Sequence, residues 1–447
     1  MSDPRNELPA AEELERLVAL ALDDARGRGA TAAEAAFSSD LGLSANVRKG
    51  DIDTLEHHRG RDLGVTVYMG GCKGSASAGA LSEAAVRDAV RAACDIARYT
   101  SDDPANGLAP AERMVQDPPD LDLDHPWQLS ADEAVELARE CEAAAVEADA
   151  RIENTEGAGV GVHRGLYAYG NTHGLFAVLP ESHHSIHCVA VAGHGEAMQR
   201  DYHYTVARDP AALEAARAVG RQAAEHAVAR LGAASLGTER VPVLFQAPVA
   251  KGLIGHLVSA VSGSALYREA SFLAGSAGRQ IFPDWVQMVE RPHIPRALGS
   301  AAFDAEGVAT ADAALVEGGV LQRYVLDSYS ARRLGLATTA NAGGVHNLEV
   351  AHGSDDLDGL IRRMGRGLIV TELMGQGVNL VTGDYSRGAA GFWVEDGAIV
   401  RPVQEVTIAG HLGDIFAGIQ AVGSDVDRRG GIRTGSILTA EMTVAGQ

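Results

Sequence analysis

Lysine is almost absent from this chain of 447 residues: it occurs at Lys49, Lys73 and Lys251, and the remaining basic residues are arginines. With a formal net charge of -22 and no long basic run, no concentrated positive face is available to hold a phosphate backbone, and nucleic-acid binding is not expected. Cysteine is sparse too. Cys72, Cys94, Cys141 and Cys188 are widely separated, offer neither a disulfide framework nor finger-type Cys/His spacing, and are expected as free structural thiols in a reducing compartment. Long apolar runs are missing as well. Met1 to Arg26 is acidic and amphipathic without the apolar core of a signal sequence, and no later stretch reaches the roughly 18 uncharged apolar residues of a membrane span. A soluble, cytoplasmic protein that enters no membrane is expected. There is no G-x-S-x-G elbow, and the glycine turns at 70–75 and 375–377 match neither a phosphate loop nor a G-x-G-x-x-G opening a helix. Serine hydrolase and nucleotide-binding chemistry are therefore unsupported.

What is present is a patterned chain long enough for more than one core. Leu14, Leu17, Val18, Ala21 and Leu22 recur at helical spacing, closed by Gly27 and Gly29. Alternating runs follow at 35–38, 44–48, 52–57 and 63–69, before Ser82 opens a second helix with Glu83 in its first turn. The Pro/Asp-dense segment 100–127 reads as a surface linker. Ser130, with Glu133 three residues on, predicts a capped helix to about Ala148. Strands at 160–163, 166–169, 175–179 and 185–192 and a helix at 210–231 then repeat the helix, meander, helix order of the first block. From Val241 onward glycine is dense and strands are short, with helices at 249–261, 328–334, 355–363 and near 414–422. A closed or strongly curved sheet uses glycine in this way. The expected fold class is α+β, with an N-terminal α/β block over residues 1–125, a middle α/β block over 126–236 and a β-rich C-terminal domain over 237–447.

Three clusters carry candidate chemistry. In His183-His184-Ser185-Ile186-His187-Cys188, a strand places His183 and His187 on one face and His184 and Cys188 on the other. Structural metal sites usually draw ligands from a turn or a second element, so this run is not taken as a site. Asp304 and Glu306 share a strand face, as an acid–base pair would, but Gly307 and Thr310 beside them favour a turn. The segment containing Gly377, Asn379, Thr382, Gly383, Asp384, Tyr385 and Ser386 is either a glycine-flanked edge that pairs with an extended peptide or a tight hairpin that satisfies its own backbone.

At Lys251-Gly252-Leu253-Ile254-Gly255-His256 the chain has the outline of a metalloprotease helix, H-E-x-x-x-H, with lysine for the first histidine and glycine for the glutamate. A zinc hydrolase needs imidazole ligands, usually one further donor, and a carboxylate that takes a proton from bound water. One imidazole survives here, and the lysine ammonium repels a dication. Together with Phe303–Thr310 and Thr371–Gly388, the segment resembles the TldD/PmbA family, also called modulators of DNA gyrase, over nearly the whole chain. Met198-Gln199-Arg200-Asp201-Tyr202 and Arg401–Gly410 are similar to the PmbA (TldE) branch. In that family TldD carries the intact zinc helix and a cysteine ligand near its C-terminus, and TldE is its partner without the metal site. The corresponding stretch here, Ala421–Asp427, has no sulfur, and Asp425 or Asp427 is the formal replacement for a thiolate.

The resemblance implies a TldE/PmbA-like subunit of a cytoplasmic metallopeptidase complex acting in proteolysis and peptide maturation, with no cofactor and no catalytic residue of its own. Lys251, Gly252 and His256 are its degenerate zinc-motif positions. The partners it implies are a TldD-like zinc metalloprotease subunit and extended or unfolded peptides, with a homodimer as a further state. Two other readings stay open: a stand-alone homo-oligomeric peptide-binding or regulatory protein without catalysis, and an independent enzyme using Lys251, the Asp304/Glu306 pair or the histidine cluster.

Overall fold

From Ala33 to Ser39, and again from Leu43 to Val47, every second side chain is buried, the period of a strand with one covered face. A computed structural model describes residues 8–446; Met1–Glu7, the start of the acidic amphipathic stretch, and Gln447 lie outside the described residues. The short runs expected over 35–69 merge into two long strands joined at Lys49 and Gly50, whose φ values of 56° and 78° suit a two-residue hairpin turn. Lysine is unusual in that conformation. The buried Glu142 carboxylate holds it there, accepting the Lys49 amide at 2.7 Å and the Gly50 amide at 2.8 Å.

The first half runs α1 (Ala11–Gly27), β1 (Ala32–Arg48), β2 (Asp51–Met69), β3 (Cys72–Ala78), α2 (Glu83–Tyr99), α3 (Ala131–Ala148), β4 (Ile152–Asn171), β5 (Phe176–Ala192), β6 (Gln199–Ala207) and α4 (Ala216–Ala229). Ser130 and Glu133 form the expected capping box of α3: the Glu133 amide donates to Ser130 Oγ at 3.3 Å, and the Ser130 amide donates to the Glu133 carboxylate at 2.8 Å. The two helix, meander, helix blocks are halves of one antiparallel sheet ordered β3-β2-β1-β4-β5-β6, because β1 pairs with β4 over fourteen residues. All four helices cover one face. Leu17 of α1 and Val90 of α2 share one core cluster with Phe37 and Val65 of the sheet, while Ala138 of α3 and Val219 of α4 share another with Val47 and Val160.

The second half runs β7 (Glu239–Phe245), α5 (Ala247–Ala260), α6 (Gly263–Tyr267), β8 (Met288–Glu290), β9 (Ala313–Glu317), β10 (Val320–Leu321), α7 (Ser328–Leu334), β11 (Leu348–Val350), α8 (Leu357–Met364), β12 (Gly367–Met374), β13 (Asp384–Glu395), β14 (Ala398–His411), α9 (Leu412–Ala417), β15 (Ile419–Val422), β16 (Ile432–Arg433) and β17 (Ile437–Gly446). The sheet β14-β13-β12-β7-β17-β15 closes on itself where β14 also pairs with β17, the closure that the glycine density suggested. At Gly391 a Cβ would lie 1.8 Å from the Ile369 carbonyl oxygen, so the strongly bent strands approach at a point only glycine permits. α5 packs on the face carrying Val243, Phe245 and Val370, and α8 on the face carrying Leu244, Ile369 and Leu438.

Segment 100–127 is not the loose surface linker its Pro/Asp content suggests. Val115 and Leu121 are buried with Tyr169 and Phe303, between the uncovered face of the first sheet and the second half. Arg332 donates to the carbonyls of Ala105 and Gly107 at 2.8 and 3.0 Å, and Tyr329 to Asp103 at 2.9 Å. Its apolar residues, few as they are, strap the two halves together.

Candidate functional site

Helix α5 begins with Pro248 in its first turn, where a missing amide costs nothing, and its Ala247 amide is accepted by Ser436 Oγ at 3.0 Å. Ser436 in turn donates its hydroxyl and amide to Asp425, at 2.6 and 3.0 Å. Asp425 therefore anchors the head of the helix. The helix buries Ala250, Leu253, Ile254 and Leu257 and runs as regular α through the degenerate motif. Residues five apart on such a helix point in directions about 140° apart, so Lys251 and His256 meet different neighbours.

Lys251 Nζ lies 2.9 Å from Asp427 Oδ2 and donates to the Arg429 carbonyl at 2.7 Å. Its side chain is 18% exposed and that of Asp427 only 4%. Arg429 binds the same carboxylate in a fork, Nε to Oδ1 at 3.0 Å and Nη2 to Oδ2 at 2.8 Å. Burial works to raise the Asp427 carboxyl, but hydrogen bonds from Arg429 and Lys251 outweigh it and hold the group below the usual carboxylate range. Both aspartates that were the formal replacements for a thiolate are thus engaged with protein donors. Gly252, at the position of the missing glutamate, faces open space: a Cβ there would meet nothing within 4 Å.

His256 turns toward the other segment singled out in the sequence. Its ring meets Tyr385 edge-on, with centroids 5.9 Å apart. Burial, aided by the charge of Arg387, lowers the His256 pKa, and burial raises that of Tyr385 to about 12. Tyr385 is therefore an inward residue. Its companions Gly377, Asn379, Thr382, Asp384 and Ser386 are exposed, while Gly383 is buried. Their polar groups are largely spent inside the turn. Asn379 Oδ1 accepts the Val381 amide at 2.9 Å, Thr382 Oγ1 donates to Asp384 at 2.6 Å, and the Ser386 amide donates to the Gly377 carbonyl at 2.6 Å. The strand that follows is paired on both sides, by β12 and β14.

Asp304 and Glu306 divide their duties. Asp304 Oδ1 accepts the amides of Glu306 and Val308, at 2.9 and 3.0 Å, and its Oδ2 accepts that of Ala342 at 3.0 Å, the turn-forming pattern. Glu306 accepts the Ser328 amide at 2.9 Å, and burial, reinforced by Asp304 and Asp327, raises its pKa to about 7. The folded chain therefore binds a proton here more tightly than the unfolded chain. Stability should fall as pH rises from 4.5 to about 7, the full penalty remaining above that window. Glu306→Gln keeps an acceptor for Ser328 and should flatten this slope in thermal melts, with a gain on the order of 1–2 kcal/mol at alkaline pH.

The histidine run divides as its alternation predicts. Cys188 is buried in the cluster shared with α3 and α4, and His184 is buried beside the segment ahead of α3, its Nε2 2.8 Å from the His125 carbonyl. His183 emerges on the opposite face and stacks on His163 of the neighbouring strand. Two features of the site are not legible in the sequence. One is the fork of Arg429 onto Asp427, whose only signal was the Asp-x-Arg spacing. The other is a cavity of about 230 Å³ between the two halves, lined by Tyr202, His203, Tyr204, His226, Gln246 and Arg429. Arg429 closes its floor, stacking over Tyr204 at 4.3 Å and donating to the Tyr204 carbonyl at 2.8 Å.

Three domain profiles of one family match the chain: PmbA/TldA metallopeptidase domain 1 over residues 33–97, the central domain over 124–231 and the C-terminal domain over 238–446. The chain is 46% identical to metalloprotease PmbA of Escherichia coli, across 97% of its own length and 96% of that protein's. It is 45% identical to a metalloprotease PmbA homologue of Haemophilus influenzae, with the same coverage of 97% and 96%. Among solved structures, one from Bacteroides thetaiotaomicron described as a modulator of DNA gyrase superposes with a TM-score of 0.92 at 28% identity, covering 98% of this chain and 99% of that one. TldE from Thermococcus kodakarensis shares the fold, with a TM-score of 0.84 at 22% identity over 97% of this chain and all of that one (100%).

Proposed function

This chain belongs to the PmbA/TldD metallopeptidase family, and from that membership we propose that it is the TldE/PmbA-type subunit of a cytoplasmic complex that degrades or matures extended peptides, without a catalytic zinc site of its own. The observation that carries the reading is the Lys251–Asp427 ion pair. Where the zinc helix has its first imidazole, this chain places an ammonium, and that ammonium occupies the Asp427 carboxylate, one of the two formal replacements for the missing thiolate. Zinc does not fit this donor set, which offers one imidazole turned toward Tyr385, two aspartates held by other donors and no carboxylate at position 252. Water activation accordingly belongs to a TldD-like partner.

The chain's own contribution is a wall and an interface. The cavity over Arg429 supplies aromatic faces and one fixed guanidinium beside the degenerate helix, suited to an apolar side chain of a peptide next to a carbonyl or carboxylate. Met198 and Tyr202, at the rim of the same block, are 53% and 56% exposed, apolar surface of the kind a partner covers. The turn at 377–386 would offer a peptide its exposed side chains rather than a free strand edge, since β13 is paired on both sides. A cytoplasmic location accords with the four free cysteines, and among the described residues no helix is long and apolar enough to cross a membrane. Incubating an unfolded peptide with this chain, with a relative carrying an intact H-E-x-x-x-H, and with both together tests the proposal. Cleavage should require the intact helix and be fastest in the mixture; cleavage by this chain alone would refute it.

A further inference from the structure

Away from the degenerate helix, the face of the first sheet not covered by helices gathers a second set of donors. His58 on β2 and His163 on β4 both lie directly opposite Gly42 on β1. One row along the same face, Asp40 on β1 lies between Gly60 and Gly165. The glycines clear the space between these side chains. A Cβ on Gly42 would fall 1.7 Å from Cε1 of His58, and one on Gly60 would fall 2.2 Å from Oδ1 of Asp40, so ring and carboxylate lie across bare backbone. As a result, one ligand atom from each of Asp40, His58 and His163 lies within 4.8 Å of the others. His58 Nε2 and Asp40 Oδ2 are 3.5 Å apart, close to the roughly 3.4 Å edge of a tetrahedron of donors about 2.1 Å from zinc.

The donors are oriented by their neighbours, as metal ligands commonly are. The Gly60 amide donates to Asp40 Oδ2 at 3.2 Å, and the His183 ring stacks on His163 with centroids 4.3 Å apart and planes inclined by 28°. The site is open: the side chains of His58 and Asp40 are 52% and 31% exposed, which leaves an entry path and room for water. Unlike the histidine run of a single strand, these ligands come from three different strands.

We propose that Asp40, His58 and His163 bind one divalent transition-metal ion through two imidazoles and a carboxylate, with its remaining positions open. Such a nitrogen-rich set suits zinc, cobalt or nickel, whereas magnesium and calcium prefer oxygen alone. The site stands apart from α5, so its existence is independent of the proposed function. The test is titration of the chelator-stripped full chain with cobalt(II) near neutral pH, read by calorimetry and by the visible absorption of the bound ion. One equivalent should bind, and His163→Ala and Asp40→Asn should each weaken binding at least ~10-fold while circular dichroism and melting temperature stay unchanged. Should either variant fail to fold, His58→Ala, at an exposed strand position, must show the same loss. No binding by the unaltered chain, or unchanged affinity in the folded variants, would overturn the proposal.

Discussion

Lys251→Met lowers the stability of this protein by about 3 kcal/mol at neutral pH, read as a shift in the denaturant midpoint at constant m. Methionine preserves the length and apolar stem of the side chain, so the loss isolates the ammonium. Its removal leaves the Asp427 carboxylate, 4% exposed, with Arg429 as its remaining cationic partner. That fork keeps the loss at the lower end of what a broken buried pair costs, about 3–5 kcal/mol. The sign with pH is fixed. Asp427 has a depressed pKa in the folded chain, so the stability it contributes is present above the ordinary carboxylate range and disappears as pH falls through the folded value. The gap between the two proteins should therefore close in acid. Replacing Asp427 with leucine in the same variant recovers only part of the loss, because Arg429 then loses its acceptor. A Lys251→Met protein as stable as the original would mean that the ammonium does not hold this carboxylate.

What could be read from the sequence was local. The Ser130–Glu133 cap, the helix through the degenerate motif and the alternation of His183 to Cys188 all depend on residues a few positions apart, and each appears as its spacing predicts. The closed sheet was legible only as glycine density. Its closing contact, β14 to β17, joins distant segments through backbone groups that any sequence carries. The long hairpins were hidden for another reason: Gly42, Gly60, Gly159 and Gly161 look like breaks in the pattern but lie inside continuous strands, where they make room for neighbouring side chains. Segment 100–127 misled because composition reports its prolines and aspartates and not which few apolar residues turn inward.

The candidate site divides in the same way. Lys251 and His256 could be identified by spacing, and Asp425 or Asp427 only as the formal replacement for a thiolate that the resemblance implies, but the pairing of Lys251 with Asp427 joins opposite ends of the C-terminal half and required the fold. Tyr385 was grouped with the exposed residues around it, whereas strand alternation turns it toward His256 and leaves Asp384 and Ser386 outside. The set formed by Asp40, His58 and His163 had no sequence signature at all, since cross-strand register alone brings the three together.

The second large effect concerns where water is activated. In a cleaving mixture of this chain with a relative whose H-E-x-x-x-H is intact, replacing that relative's glutamate with glutamine removes the proton acceptor and should slow peptide cleavage on the order of 100-fold or more. His256→Gln in this chain removes the one imidazole left in its own motif, which meets Tyr385 and has no second histidine beside it, and cleavage should persist. Measuring both variants in one assay, with the same peptide and saturating zinc, compares the two helices directly. Loss with the relative's glutamate and retention with His256→Gln is the expected result. Retention with the former and loss with the latter would place the chemistry in this chain and contradict the account.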